Sequence, residues 1–92
     1  HARGCVVGVS GDVYCWGKNK SGVLGDGTTN DAVTPVKVVG LPGPASEVRT
    51  TDTSTCALLT TGKVHCWGDD RSGQLGGGTK KPTLVPREVL LP

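Results

Sequence analysis

The sequence predicts an all-β chain of two antiparallel blades of the β-propeller type, and three observations carry that prediction. The first is an internal repeat. Cys5, Gly11, Val13, Cys15-Trp16-Gly17, Ser21-Gly22, Leu24-Gly25, Gly27-Thr28, Pro35 and Val38 recur as Cys56, Gly62, Val64, Cys66-Trp67-Gly68, Ser72-Gly73, Leu75-Gly76, Gly78-Thr79, Pro86 and Val89. The offset from Cys5 to Cys56 is kept throughout without a gap. The second is composition: 15 glycines and 6 prolines in 92 residues preclude long helices and favour turns. The third is the period of about fifty residues, rich in Gly and β-branched residues, which marks propeller blades rather than helical solenoids.

The repeats divide the chain into 1–42 and 43–92. In the second repeat, 47–51 reads as one strand, 55–59 and 63–67 as the next two, and 84–90 as a weaker fourth interrupted by Pro86. The first repeat lacks the counterpart of 43–51, because His1 aligns with Asp52. The expectation is therefore about seven strands where two full blades need eight, completed by other blades or other chains.

The turns set the register. In Thr60-Thr61-Gly62 the glycine stands third, where a three-residue hairpin loop takes a left-handed residue closing a G1 bulge. Counting outward from Leu59 opposite Lys63, Leu58 faces Val64, Ala57 faces His65 and Cys56 faces Cys66. The loop Val9-Ser10-Gly11 likewise sets Val7 against Val13 and Cys5 against Cys15. Each cysteine pair falls at a non-hydrogen-bonded position, where Cα atoms approach to about 4.5 Å, within disulfide range. Of the three connectivities open to four cysteines, this register selects Cys5–Cys15 with Cys56–Cys66. The rival reading is a metal site of four cysteines, but structural zinc sites typically use cysteines about two to four residues apart. Two disulfides imply an oxidising, extracellular or secreted location, with cell surface and periplasm included.

The same register places Cys5, Val7, Val13 and Cys15 on one apolar face, as it does Cys56, Leu58, Val64 and Cys66. Val6, Tyr14 and Trp16, or Ala57, His65 and Trp67, occupy the opposite face. Both faces suit a blade packed between two neighbours. Trp16 and Trp67 fit carbohydrate-stacking platforms less well than blade packing, since each follows its cysteine at a repeated position. Leu24 and Leu75 are assigned to blade packing with them.

The segments Cys56-Ala57-Leu58, Gly62-Lys63-Val64-His65-Cys66-Trp67-Gly68 and Gly73-Gln74-Leu75-Gly76-Gly77-Gly78-Thr79 resemble the repeat of the regulator of chromosome condensation family. The first repeat resembles it through Cys15-Trp16-Gly17-Lys18-Asn19, Gly22-Val23-Leu24-Gly25-Asp26-Gly27-Thr28 and Pro35-Val36-Lys37-Val38. It departs at Val6-Val7-Gly8, where Ala-Leu is expected, and at Val23 in place of Gln. The resemblance implies a β-propeller, usually seven-bladed, and the cysteines resemble the bacterial and extracellular branch. Its functions range from a nuclear exchange factor for a small GTPase, which also binds nucleosomes, to β-lactamase inhibitors.

Several chemistries find little support in the residues. The stretches 22–28 and 73–79 lack the Gly-Lys-Ser/Thr ending of a phosphate loop. His65 beside Cys66 is no catalytic pair, because adjacent strand residues point to opposite faces. Asp26, Asp31, Asp69 and Asp70 form no EF-hand pattern and read as turn acids. No cofactor and no metal are expected. The formal charge of +2, with Lys80-Lys81 as the only basic doublet, gives no basic stripe for nucleic acid. No apolar run is long enough to span a bilayer, and no secretory leader is recognised, so the chain reads as processed or excised. Asn19-Lys20-Ser21 is a glycosylation sequon, meaningful only in a host that uses it.

The expected function is a secreted structural or protein-interaction module, not an enzyme, whose partners are other copies of itself or further blades. Head-to-tail contact gives a ring, or a filament where the rotation does not close. The alternative is a fragment of a longer propeller that binds a foreign protein, as an enzyme inhibitor, adhesin or exchange factor.

Overall fold

The computed structural model describes residues 4–19, 22–51, 54–68 and 83–89. Seven strands follow in order: β1 (Gly4–Val7), β2 (Val13–Gly17), β3 (Ala32–Lys37), β4 (Ala45–Thr50), β5 (Ser54–Leu59), β6 (Val64–Gly68) and β7 (Thr83–Glu88). They form two antiparallel meanders, a three-stranded sheet ordered β1-β2-β3 and a four-stranded sheet ordered β4-β5-β6-β7. No helix among the described residues is long and apolar enough to cross a membrane.

The hairpin register is the one the turns predict. Cys5 pairs with Cys15 and Val7 with Val13, while Cys56 pairs with Cys66 and Leu58 with Val64. Gly11 and Gly62 close their loops at φ 89° and 92°. Both disulfides are formed within their blades, each with Cα atoms 4.1 Å apart, as narrow non-hydrogen-bonded pairs allow.

The strand ends differ in instructive ways. β4 begins at Ala45, two residues earlier than its sequence pattern suggests, because Ala45 pairs with Leu59 of β5 across a register shift; its amide also donates to the Gly11 carbonyl of the other blade at 2.9 Å. β7 runs through Pro86, which is tolerated because β7 ends its sheet and has a strand neighbour on one side only. β3 carries Pro35 in the same edge position. In both sheets the register shifts across the tryptophan, between Cys15 and Gly17 and between Cys66 and Gly68.

One core joins the sheets. From the first come Val13 and Cys15 on the cysteine face, together with Val23, Leu24 and Val38 from the loops; from the second come Ala57, Leu59 and Trp67 on the opposite face. The burial of β5 alternates accordingly, with Thr55, Ala57 and Leu59 covered and Cys56 and Leu58 only half so. The four described ion pairs all lie at the surface, where such pairs contribute little. Apolar burial holds the blades together.

Gly11 meets two demands at once. Besides its positive φ, a Cβ there would stand 2.3 Å from Cβ of Pro44, whereas Gly62 has the same φ range and open space around it. Gly62→Ala is expected to cost about 1–2 kcal/mol from backbone strain alone. Gly11→Ala adds the steric conflict at the joint and should cost at least about 1 kcal/mol more, read from urea unfolding midpoints.

Candidate functional site: the joint between blades

The joint is built around the segment Gly22-Val23-Leu24-Gly25. Val23 and Leu24 are fully buried, yet the useful group is the Val23 main-chain carbonyl. Trp67 Nε1 donates to it at 2.8 Å and Thr55 Oγ1 at 2.9 Å, both from the second blade. A buried carbonyl left unpaired is costly, and here two neutral donors satisfy both lone pairs. The indole itself is fully covered. Burying a ring of that size against a preformed surface is worth about 4–6 kcal/mol as an upper estimate.

Gly25 makes the approach possible. Its φ is 69°, and a Cβ would meet Trp67 Nε1 at 2.6 Å. Further main-chain bonds cross the joint's edges, Gly27 N to Leu84 O at 3.0 Å and Ala45 N to Gly11 O at 2.9 Å, while Val39 N to Gly25 O at 3.0 Å ties Gly25 within the first blade.

Asn19 shapes the loop that carries this carbonyl. Its Oδ1 accepts from Leu24 N at 2.9 Å, while its Nδ2 donates to Thr28 O at 2.8 Å, Asn30 O at 3.0 Å and Asp26 Oδ1 at 3.4 Å. Asp31 Oδ1 accepts from the Asn19 amide at 2.8 Å. Asp26 also accepts from the Thr28 amide and hydroxyl. The acids of this loop thus serve as turn acceptors. Among the described residues no group of three His, Cys, Asp or Glu side chains converges to hold a metal.

Asn19 is also where the sequence reading needs correction. The sequon presents no accessible amide in the folded chain: Asn19 is fully buried and its nitrogen is engaged within the loop. The residues assigned to packing divide three ways. Trp67, Val13 and Leu24 lie in the joint, with Val7 half-buried against the same core. Leu58 and Val64 are half-buried on the second blade's cysteine face, away from the joint, and Trp16 is half-buried on the first blade's opposite face. Leu75, with the rest of 73–79, lies outside the described residues.

Sequence reasoning missed Asn19, Thr55 and the Val23 carbonyl. The repeat could not flag them, because Asn19 aligns with Asp70, Thr55 with Gly4 and Val23 with Gln74. His65 is buried too, and its Nδ1 has no partner. It lies on the covered face as a packed side chain, one residue from a cysteine held in a disulfide.

Comparison with known proteins agrees with this architecture. The model of the regulator of chromosome condensation (RCC1) repeat matches residues 10–58, and a second model of that repeat matches 50–74. The ultraviolet-B receptor UVR8 of Arabidopsis thaliana is 34% identical over 84 residues, covering 90% of this chain and 19% of that protein. The E3 ubiquitin-protein ligase HERC2 of Homo sapiens is 40% identical over 81 residues, covering 87% of the chain and 2% of the ligase. Among solved structures, Prp20p from Saccharomyces cerevisiae superposes with a TM-score of 0.83 at 18% identity, covering 97% of this chain and 24% of that one. Human WBSCR16 gives 0.81 at 26% identity, covering 98% and 24%. The chain thus spans a quarter or less of each of these proteins.

Two substitutions test the joint. Thr55→Val removes one of the two donors at nearly constant volume and should cost about 1 kcal/mol in denaturant unfolding. Asn19→Asp replaces a donor by a carboxylate facing two carbonyls and Asp26. It should cost about 2–4 kcal/mol at neutral pH, read in the same assay.

Proposed function

Since the chain belongs to the regulator of chromosome condensation repeat family, we propose that it is a secreted structural and protein-interaction module whose working surfaces are its blade faces. In this reading it self-associates head-to-tail into a ring or filament. The observation that carries the proposal is the joint itself. A cysteine face and a tryptophan face meet and bury each other within the chain, while Leu58 and Val64 of the other cysteine face and Trp16 of the other tryptophan face are only partly covered. A blade has two apolar faces, and stacking repeats bury them one against the next. Three or four copies of a two-blade chain would give six or eight blades. A rotation that fails to close would give a filament.

Two features support an extracellular or periplasmic setting and action by binding. Both cysteine pairs are oxidised in the structure and no free cysteine remains. Asp26 and Asp31 are engaged as turn acceptors, and Asp31 and Asp12 also in exposed ion pairs with Lys18 and Lys37.

A second reading rests on coverage. The chain matches a quarter or less of its relatives, and the structural study of Prp20p concerns binding to Gsp1p and histones. Here the missing blades lie in the same polypeptide, and the completed propeller binds a foreign protein, as an enzyme inhibitor, adhesin or exchange-factor-like module.

Mass measurement by light scattering across a concentration series separates the two. Self-association predicts multiples of the chain mass that grow with concentration, and a monomer up to millimolar concentration would sink it. Thiol titration of the native chain is expected to find no reactive cysteine. Four free thiols would remove the argument for an oxidising compartment.

A further inference from the structure

We infer that the joint between the blades is acid-sensitive, and that the buried imidazole of His65 is the group whose protonation loosens it. The device holds under either reading of the function, because the joint lies inside the chain. His65 is 7% exposed, on the face of β6 that carries Trp67. Its Nδ1 is sealed from water and has no hydrogen-bond partner among the described residues. In the neutral ring a bare nitrogen carries no hydrogen, and such a ring packs among apolar groups. An imidazolium carries N–H at both nitrogens, so protonation would put a charged donor where no acceptor stands. A buried charge without a partner is costly, and opening the joint to water relieves that cost.

The surrounding elements do not supply the acceptor. On β5 the same face holds Thr55, Ala57 and Leu59, none of them titratable, and Thr55 Oγ1 already donates to Val23 O. On β7 Glu88 stands opposite His65, but its carboxylate accepts from Lys63 Nζ at 3.3 Å and makes no hydrogen bond to the ring. Lys63 and Glu88 together are neutral, so they hold no further cation. Arg87 pairs with Cys66, on the other face of the blade. The first blade brings Val13, Cys15, Val23, Leu24 and Val38 to the joint, with Cys15 held in its disulfide. The linker 38–46 contains no ionisable side chain. Lys37 stands opposite Tyr14, on the first blade's other face, and is paired with Asp12.

The first blade has no equivalent device. Tyr14 occupies the position of His65 there and is half-buried. The ion pair beside it is inverted, Asp12 with Lys37 where the second blade has Lys63 with Glu88. A titratable ring at this position is therefore a property of the second blade, not a demand of the hairpin. Opening the joint exposes the ring, and an exposed imidazole takes up a proton near pH ~6.5. The closed joint takes up none, so the joint keeps its full strength above that value and loses it as the pH falls through it.

Hydrogen exchange of the Trp67 indole N–H, followed by NMR, reads the joint directly, because that N–H is bonded across it to Val23 O. Protection relative to a free indole at the same pH is expected to fall about tenfold from about pH 7.5 to about pH 5.5, where Asp and Glu stay ionised. His65→Tyr gives the second blade the first blade's residue and should keep protection level across that window. Glu88→Gln should keep the fall, since the carboxylate is not the group that titrates. Level protection in the wild-type chain overturns the inference. An equal fall in His65→Tyr, or no fall in Glu88→Gln, overturns it as well. Where His65→Tyr does not fold, the ring resonances of His65 in the wild-type chain decide. An imidazolium that forms while Trp67 stays fully protected overturns the inference, and a ring that stays neutral while protection falls supports it.

Discussion

The structure depends on one buried carbonyl. Val23 O is removed from water by the packing of two sheets, and Trp67 Nε1 and Thr55 Oγ1 arrive from the second blade to pair it, so the apolar faces meet without leaving a buried acceptor unsatisfied. Much of the surrounding geometry serves that meeting. Asn19 holds the loop in shape through four hydrogen bonds of its side chain. Gly25 leaves the space into which the indole edge fits. Gly11, pressed against Pro44, fixes where the second blade begins. Within this group of contacts a small local change is a change of the whole joint, because close-packed interfaces do not deform gradually.

The covalent bracing lies elsewhere. Each disulfide clamps one hairpin across ten residues of sequence, restricting the unfolded chain by about 2–3 kcal/mol in the loop-entropy model. Neither crosses the joint. Individual blades are therefore stapled while blade-to-blade cohesion rests on an apolar face and a few hydrogen bonds. That division suits a repeat. A stapled blade keeps its shape with one face uncovered, and the non-covalent joint is open to the same contact made with another blade.

Much of the fold was legible because it is short-range. The repeat, the two three-residue turns and the alternation outward from them led to the pairing of Cys56 with Cys66 and of Leu58 with Val64 with no tertiary information. The fourth strand was legible in outline despite Pro86, since an edge tolerates a missing donor. The candidate site was less so. Tryptophan at a repeated position pointed toward packing, and Trp67 lies in the joint, but the acceptor it uses is a main-chain atom that no residue type announces. Asn19 read as a surface sequon because its spacing matches one. Its burial depends on carbonyls of residues 28 and 30, which only the folded loop brings to it.

By itself, then, the sequence determined the blades: their number, their hairpin register and the cysteines each one joins. Turn chemistry and a side-chain period of two act over a few residues, so they can be read along the chain. Tertiary structure decided which faces meet. Both faces of each blade are apolar enough to be buried, and nothing local says that the cysteine face of the first is covered by the tryptophan face of the second. That choice is made where the Val23 carbonyl, the Gly25 backbone and the Trp67 indole fit together. It covers Trp67 fully and its repeat counterpart Trp16 only in part.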